Sequence, residues 1–510
     1  MKKYLFILFY ILLFCLCLAF SIKSDMLSYD IWSWFVMAKH LLQTGYVADD
    51  IFSYAPKHTW YCHEWLFCPL IYLASKFGGI GICILKSIIC FLTILGVNLC
   101  IGFKKDLFQY FYLLLFCCLL DTIGFYSQLR AQNITFLFLP LMIYLLLKTK
   151  NNQNSKAFYL IPLLVVIWLN CHAGSILALG ILGIFIVSQI LSKKPFKKHI
   201  FLLFGCFGAY FINPWGINFV KFMMFDLLNY DIKATNVVEW YSPFALGAFP
   251  FLFFSVIMIV LFLYIYNLVL EKKLDFFKTL ILLAFLILAI QHTKHIALFY
   301  IAVFIFMYED LKKIILKPLK TPLFIASSIY VLILCFNVFS SNSIKTNFFY
   351  NLQNAMPLNT LRFLSENKLK GRLLMFPDYS DFFAYKMYPD ISICMDTRTE
   401  QVYPMDEFMK VLDLFYKGKN PDELLEKYKP NIIVVWQNSP LNDYLQNQNF
   451  YKLVYVIEGN YIYLDKNSQK FSYFYGNNRP YFTYKNIFDT QIDFKKTPCK
   501  NAEGNSNQKS

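Results

Sequence analysis

The sequence predicts a polytopic α-helical membrane protein that ends in a small α/β domain. Three observations predict it. Of the 510 residues, 58% are hydrophobic and only 16% charged, a balance too apolar for a soluble globular chain. About eleven long apolar segments recur before residue 341, and the loops that join them sort by charge. Beyond 341 the pattern changes to short β-type runs between helical stretches.

A helix needs about 20 mostly apolar residues to cross the hydrocarbon of a bilayer. Segments of that character lie near 4–21, 80–102, 107–123, 132–148, 157–169, 173–192, 199–213, 248–270, 276–291, 296–308 and 321–340. With Met1 on the cytoplasmic side, the cytoplasmic connections hold Lys2, Lys3, Lys104, Lys105, Lys148, Lys150, Lys156, Lys193, Lys194, Lys197, Lys198, Lys272, Lys273, Lys278, Lys312, Lys313, Lys317 and Lys320. The opposite loops contain more residues yet hold only Lys23, Lys39, Lys57, Lys76, Arg130, Lys221, Lys233 and Lys294. Lysine-rich short loops stay inside during insertion, so the N-terminus is expected in the cytoplasm and the C-terminal domain outside. Residues 64–77, at about 14 residues, are too few to cross unaided. Were they to cross, Lys104 and Lys105 would face outward and every later loop would invert; they read instead as a short helix in the outer interface. The first span follows Lys2 and Lys3 as a secretion signal would, but no small-residue cleavage site succeeds it, and it is read as an uncleaved helix.

The formal net charge of +16 comes largely from the inner loops and the lysine-rich C-terminal domain. It favours anionic lipid head groups over nucleic acid, for which no recognition module occurs. Of the 14 cysteines, most sit inside apolar spans, where they act as small hydrophobes. Cys62, Cys68, Cys171, Cys394 and Cys499 lie outside them without metal-ligand spacing, and a Cys62–Cys68 bridge is left open.

These boundaries give a transmembrane domain over 1–340 with interfacial helices in 22–79, an extracytoplasmic α/β domain over 341–466, and a polar, partly disordered tail over 467–510. In the α/β domain the apolar runs 373–376, 391–395, 432–436, 453–457 and 461–464 alternate with helical stretches at 354–367, 405–416 and 421–428. That alternation predicts a partly parallel sheet. The tail mixes Asn, Lys and aromatics without period, and its final dozen residues read as disordered.

Ionisable groups at a membrane are costly and usually functional, and the first outer loop concentrates them. Asp25, Asp30, His40, Asp49, Asp50, His58, His63 and Glu64 are interleaved there with Tyr29, Trp32, Trp34, Tyr54, Trp60, Tyr61 and Trp65. Residues 30–43 have the pattern of an amphipathic interfacial helix, apolar at Ile31, Trp34, Phe35, Ala38, Leu41 and Leu42. Asp30 opens that helix, either as a cap or as a general base aimed at an acceptor hydroxyl or amine.

The order of these motifs resembles the GT-C superfamily of membrane glycosyltransferases, most of all the bacterial branch akin to protein O-mannosyltransferases and lipid A aminoarabinose transferases. The likeness rests on an uncleaved first span, Ser-Tyr-Asp30-Ile-Trp, the Gly45 turn, Asp-Asp-Ile-Phe-Ser-Tyr, and Trp60-Tyr-Cys-His63-Glu64-Trp65-Leu. It continues through Leu129-Arg130-Ala-Gln-Asn, Trp168-Leu-Asn170-Cys-His172-Ala-Gly174, Asn213-Pro-Trp-Gly216, Glu239-Trp240 and Gln291-His292-Thr-Lys294-His295, all on the outer side. In the C-terminal domain, Phe376-Pro-Asp-Tyr-Ser-Asp-Phe and Met395-Asp396-Thr-Arg398 resemble the small outer domain of relatives.

The resemblance implies a glycosyltransferase of a bacterial inner membrane that takes its sugar from a polyprenyl-phosphate donor. Asp30 then stands in the place of the catalytic carboxylate, and His63-Glu64 in the place of a second polar motif. Trp65-Leu66-Phe67-Cys68-Pro69 departs from the adjacent prolines that follow this motif in the relatives.

A donor phosphate calls for charge-assisted donors. Arg130, Lys294 and His292 are the candidates, with lipid-head-group snorkelling the other reading of the two long cations. Asp49 and Asp50 are candidates for a divalent cation or for a turn. Trp60, Trp65 and Trp240 could stack on a sugar or belong to an interfacial aromatic belt. His172 beside Asn170 reads as a helix-end cap. Other classes remain: a transporter or flippase of lipid-linked glycans, and an O-antigen ligase or polymerase. The acceptor, whether glycan, lipid or protein, is not specified by the sequence.

Overall fold

The structure, a computed structural model, describes residues 2–23, 30–45, 49–55, 57–104, 106–125, 128–152, 154–226, 238–247, 250–271, 274–315, 317–340, 356–457, 459–467, 479–482 and 494–497. Asp25, Tyr29, Lys105, Lys233, Lys272, Lys273, Cys499 and most of the tail, including its final dozen residues, lie outside the described residues.

In chain order the helices are α1 (Lys2–Lys23), α2 (Ile31–Thr44), α3 (Phe67–Ser75), α4 (Gly78–Ile101), α5 (Leu107–Asp121), α6 (Gln132–Asn151), α7 (Ala157–Cys171), α8 (Ile176–Leu191) and α9 (Lys197–Ala209). They continue with α10 (Phe251–Glu271), α11 (Phe276–Gln291), α12 (Ile296–Phe306), α13 (Lys320–Ser340), α14 (Leu358–Glu366), α15 (Pro377–Met387), α16 (Met405–Lys417), α17 (Pro421–Tyr428) and α18 (Pro440–Gln446), with shorter turns between. Every apolar segment of the sequence is a helix, α1 and α4 to α13. Among the described residues, five helices are long and apolar enough to cross a membrane by length and composition: Gly78–Ile101, Gln132–Lys150, Ala173–Leu191, Phe251–Leu270 and Lys320–Val338. The others are shorter apolar helices.

The chain divides into two compact units, Met1–Met26 with Ile82–Lys345, and Leu27–Gly81 with Thr346–Ser510. Among the described residues, the regular elements of the first are all helices. Aromatic side chains lock its helices together: Tyr112 and Phe116 of α5 lie 4.5 and 4.6 Å from the Phe304 ring of α12, and the Tyr112 hydroxyl donates to the Phe304 carbonyl at 3.1 Å. Acidic caps neutralise several loop lysines. Asp106 accepts from the Gln109 N–H at the start of α5 and pairs with Lys312 at 2.5 Å. Asp275 caps α11 and pairs with Lys150 at 3.3 Å, and Lys278 pairs with Asp310.

The second unit carries a five-stranded sheet of β1 (Gly371–Leu374), β2 (Ile391–Ile393), β3 (Ile432–Trp436), β4 (Tyr451–Ile457) and β5 (Asn460–Asp465) in the order β2-β1-β3-β5-β4. The β2-β1-β3 pairs are parallel and the β3-β5-β4 pairs antiparallel, the mixed sheet that the alternating runs predict. Burial explains the continuous apolar run of β3: Ile432 to Val435 are all buried, as a central strand covered on both faces requires. In the tail, β6 (Arg479–Phe482) and β7 (Phe494–Thr497) form an antiparallel pair. Strands of four residues are too short to show a period in an aperiodic sequence.

Residues 27–81, which the sequence assigns to the transmembrane domain, group with the C-terminal residues for two local reasons. Ser53 forms a parallel bridge to Ile393, with the Tyr54 N–H donating to the Ile393 carbonyl at 3.0 Å and the Ile393 N–H to the Phe52 carbonyl at 2.9 Å. The first loop thereby extends the sheet beyond β2. Helix α2 packs on α15, with Trp32 4.7 Å from Phe382 and Phe35 5.2 Å from Tyr385.

Candidate functional site

Asp30 is half-buried at the first residue before α2, with helical φ and ψ of −61° and −21°. Its carboxylate does not cap the helix; the Ser33 hydroxyl donates instead to the Asp30 carbonyl at 2.8 Å. The helix ends on Gly45, left-handed at φ 79°, whose N–H reaches the Leu41 carbonyl. The amphipathic pattern predicts one buried face, but Ile31 through Ala38 are all buried. The reason is packing on two sides, by Phe382 and Tyr385 of α15 and by Phe67 and Tyr72 of α3. Asp30 therefore stands at the head of a rigidly held helix.

The adjacent loop folds around one buried cation. Arg398 grips Asp396 through Nε, 2.9 Å from both carboxylate oxygens, and through Nη2 at 2.6 Å. The same Nη2 lies 3.2 Å from Asp50 Oδ1. Its guanidinium carbon sits 4.1 Å from the Phe52 ring centre and 4.4 Å from that of Trp60, a cation–π enclosure. Lys57 adds a second cation 3.4 Å from Asp50 Oδ2, and the Ser53 hydroxyl donates to that oxygen. Asp49 is occupied as a turn acceptor for the Asp50 and Trp60 N–H groups, both at 2.7 Å.

Two sequence expectations change here. The Asp49–Asp50 pair does not fit a divalent-cation site, because Asp50 already answers two cations and Asp49 two backbone donors; among the described residues no group of three or more His, Cys, Asp or Glu could hold a metal ion. Trp60 is buried, and its ring carries Arg398, so it presents no open face to a sugar. Trp65 is half-buried. Nearby, His63 Nε2 lies 2.8 Å from Glu64 Oε1, both side chains almost wholly buried, so these two neighbours act as a pair. The Cys62 and Cys68 sulfurs stand 3.9 Å apart, in contact but well beyond the length of a disulfide bond.

The cluster shifts two of its carboxyls in opposite directions. Burial alone would raise the Asp50 carboxyl, but Arg398, Ser53 and Lys57 outweigh it and hold it below the usual range. Asp381 on α15 is fully buried, and burial followed by the Asp396 charge pushes its carboxyl well above that range, against the pull of Arg398. Asp381 and Asp396 form a carboxyl pair, and the Thr397 hydroxyl donates to Asp381 Oδ2.

Because its folded-state value is raised, the stability Asp381 contributes is complete below the ordinary carboxyl range and is lost as pH rises through the raised value. Asp381→Asn keeps a donor toward Asp396 without that loss. Its melting temperature is expected to match or exceed wild type, with a margin that widens from pH 5 to pH 8. Asp50 has the opposite sign, and its contribution is lost only as pH falls through its depressed value.

In the helical unit, Arg130, Glu239, Trp240, His292 and Lys294 converge. Arg130 Nη1 binds Glu239 Oε2 at 2.7 Å, both side chains about one-third exposed, an ion pair worth about 0–1 kcal/mol. Lys294 Nζ sits 2.8 Å from the Trp240 ring centre, and His292 Nδ1 lies 2.7 Å from the Trp240 carbonyl. Trp240 is therefore the seat of Lys294 rather than an open sugar platform. The Gln132 side chain reaches the Lys294 carbonyl at 3.4 Å.

Lys86 is a residue the sequence reading passed over. It is fully buried within α4, donates to Asn133 Oδ1 at 2.9 Å and to the Gln128 carbonyl at 2.5 Å, and that same Asn133 oxygen accepts the Arg130 N–H at 3.0 Å. The signal was present as a lone lysine in an otherwise apolar span.

His172 has the capping role its position suggests. Trp168 Nε1 donates to Thr135 Oγ1 at 2.9 Å, Thr135 lies 2.7 Å from His172 Nδ1, and the Gly174 N–H donates to that nitrogen at 3.0 Å. The Gly174 N–H donating to Nδ1 places the ring proton on Nε2. A Cβ on Gly174 would fall 2.3 Å from Thr135 Oγ1, which explains the glycine.

No family model matches the sequence, and no curated protein matches it. Solved structures do. The chain is similar to the arabinofuranosyltransferase AftD from Mycobacteria, with a TM-score of 0.54 and 12% identity over 94% of this chain, which spans only 40% of AftD. It is equally similar to ArnT from Cupriavidus metallidurans, solved bound to undecaprenyl phosphate, with a TM-score of 0.54 and 10% identity over 91% of this chain and 98% of ArnT. With the helices, the first-loop motif and these likenesses taken together, the chain has the fold of the GT-C superfamily of membrane glycosyltransferases.

Proposed function

We propose that this protein transfers a sugar from a polyprenyl-phosphate donor to an envelope acceptor at the outer face of a bacterial inner membrane, with its N-terminus cytoplasmic and its C-terminal unit extracytoplasmic. The observation that carries the reading is the fold likeness to ArnT, which extends over 98% of a protein solved with undecaprenyl phosphate bound. In this reading the acceptor oxygen or nitrogen attacks the anomeric carbon and the bond from that carbon to the phosphate oxygen breaks. Polyprenyl phosphate leaves with the bonding pair, and Asp30 takes the acceptor proton. Arg130, Lys294 and His292 hold the donor phosphate, joined by Lys86, whose buried charge suits an anion more than a lipid chain. The buried His63–Glu64 pair supports the acid–base chemistry of the unit that carries Asp30.

The test is transfer in proteoliposomes that contain the full-length protein, labelled sugar on undecaprenyl phosphate, and an envelope glycan extract. Covalent label in the acceptor fraction is expected. Label that only crosses the bilayer, still on its lipid, would identify a transporter or flippase and overturn the reading. In the active system, Arg130→Gln and Lys294→Gln should each raise the donor KM about tenfold, with a smaller change in kcat, as loss of one charge-assisted phosphate contact implies.

A further inference from the structure

The sheet of the C-terminal unit has a topological switch point that the proposed reaction does not use. The chain leaves β1 for β2 on one side and returns to β3 on the other, with both neighbours parallel to β1. In α/β sheets the crevice outside the carboxyl ends of two such strands is where ligands bind. Here aromatic side chains line it. Phe376 follows β1, Trp436 ends β3, and Phe415 and Tyr416 come from the last turn of α16. The Phe376 ring stands nearly perpendicular to Trp436 and to Tyr416, each at 5.3 Å. Tyr416 and Trp436 are 5.7 Å apart, and Phe415 stacks on Trp436 at 5.6 Å.

The cluster is not simply core. Phe415 is fully buried and forms its floor, but Tyr416 is 58% exposed and Phe376 and Trp436 are half-buried. Within 356–467 the exposed large apolar side chains among the described residues are Tyr416 and Phe450 alone, so the opening is local. Polar groups rim it. Gln437 and Asn438 leave β3 exposed, and half-buried Asp378 lies in the first turn of α15, two residues beyond Phe376. Rings whose faces are electron-rich attract the polarised C–H groups of a pyranose, while carboxamides and a carboxyl bind its hydroxyls. A purely apolar partner would leave those rim groups unsatisfied.

We propose that this crevice binds a pyranose ring of the glycan acceptor, with Tyr416 and Trp436 as the stacking platform and Gln437, Asn438 and Asp378 as the hydroxyl-binding rim. The ligand's role as acceptor rests on the transferase reading; the binding itself does not. The test applies full-length protein in nanodiscs, without donor, to an array of hexose and N-acetylhexosamine oligosaccharides. At least one class should be retained, and Tyr416→Ala and Asn438→Ala should each weaken retention about tenfold or more with an unchanged melting temperature.

Retention by neither class, or retention indifferent to both variants, overturns the proposal. So does Tyr416→Ala weakening only the binding of the protein to vesicles of anionic phospholipid, which would make the patch a lipid surface. Glycan retention without any transfer activity would leave the crevice standing and remove the transferase. Transfer with a Tyr416→Ala acceptor KM equal to wild type would do the reverse.

Discussion

Asp30→Asn should abolish sugar transfer, with kcat reduced about 10²- to 10⁴-fold, the span typical of losing a positioned general base, while expression, melting temperature and donor binding stay near wild type. The expectation of an intact fold follows from the backbone. Helix α2 is held by Trp32, Trp34 and Phe35 against α15 and α3, and its start by the Ser33 hydroxyl on the Asp30 carbonyl, none of which involves the Asp30 carboxylate. The carboxylate supplies no helix cap, so Asn at this position costs no capping bond. If Asp30 were a structural residue, Asn and Asp would transfer sugar alike, and Ala would lower the melting temperature. Wild-type turnover by Asp30→Asn in the proteoliposome assay would remove the base assignment.

The helical fold was legible because each apolar segment is a helix whose length the hydropathy marks directly, from α1 at Lys2–Lys23 to α13 at Lys320–Ser340. Strands β1, β2, β3, β4 and β5 were legible for the same reason, as short apolar runs. Helices α15 and α18 were not, although each opens on a proline at the first helical position, as the expected α17 also does. The grouping of 27–81 with the C-terminal residues was also hidden, because it depends on a backbone bridge between Ser53 and Ile393 and on the packing of α2 against α15, pairings between distant stretches of sequence.

At the candidate site the charged and aromatic residues were found, but their partners were not. Trp60 and Trp240 share a composition with sugar platforms, yet each is the ring under a cation, Arg398 and Lys294. A sequence states neither pairing, since 338 positions separate residue 60 from 398 (398 − 60). Lys86 was passed over for the converse reason: one lysine hardly changes the mean hydropathy of a span, although its burial makes it chemically the most unusual residue there.

Arg398→Met should be the most destabilising substitution in the C-terminal unit, by about 3–5 kcal/mol, the cost of removing one partner of a buried ion pair. The guanidinium is nearly inaccessible, with a side-chain exposure of 4%, and both Asp50 and Asp396 are at 0%. Without it the remaining cation on Asp50 among the described residues is Lys57, itself about one-third exposed, and Asp396 faces Asp381 across the carboxyl pair. The loss is one of electrostatic compensation more than of volume, since Met replaces much of the apolar stem that carries the guanidinium.

A double-mutant cycle separates these causes. Asp50→Asn added to Arg398→Met removes one stranded charge, so the pair should be more stable than Arg398→Met alone, whereas two independent packing defects would add. Thermal unfolding of the full-length protein in detergent reads both. An Arg398→Met protein that melts within a degree or two of wild type would show that the first loop is held to the sheet by the Ser53 bridge and the α2–α15 packing, with the buried cation contributing little.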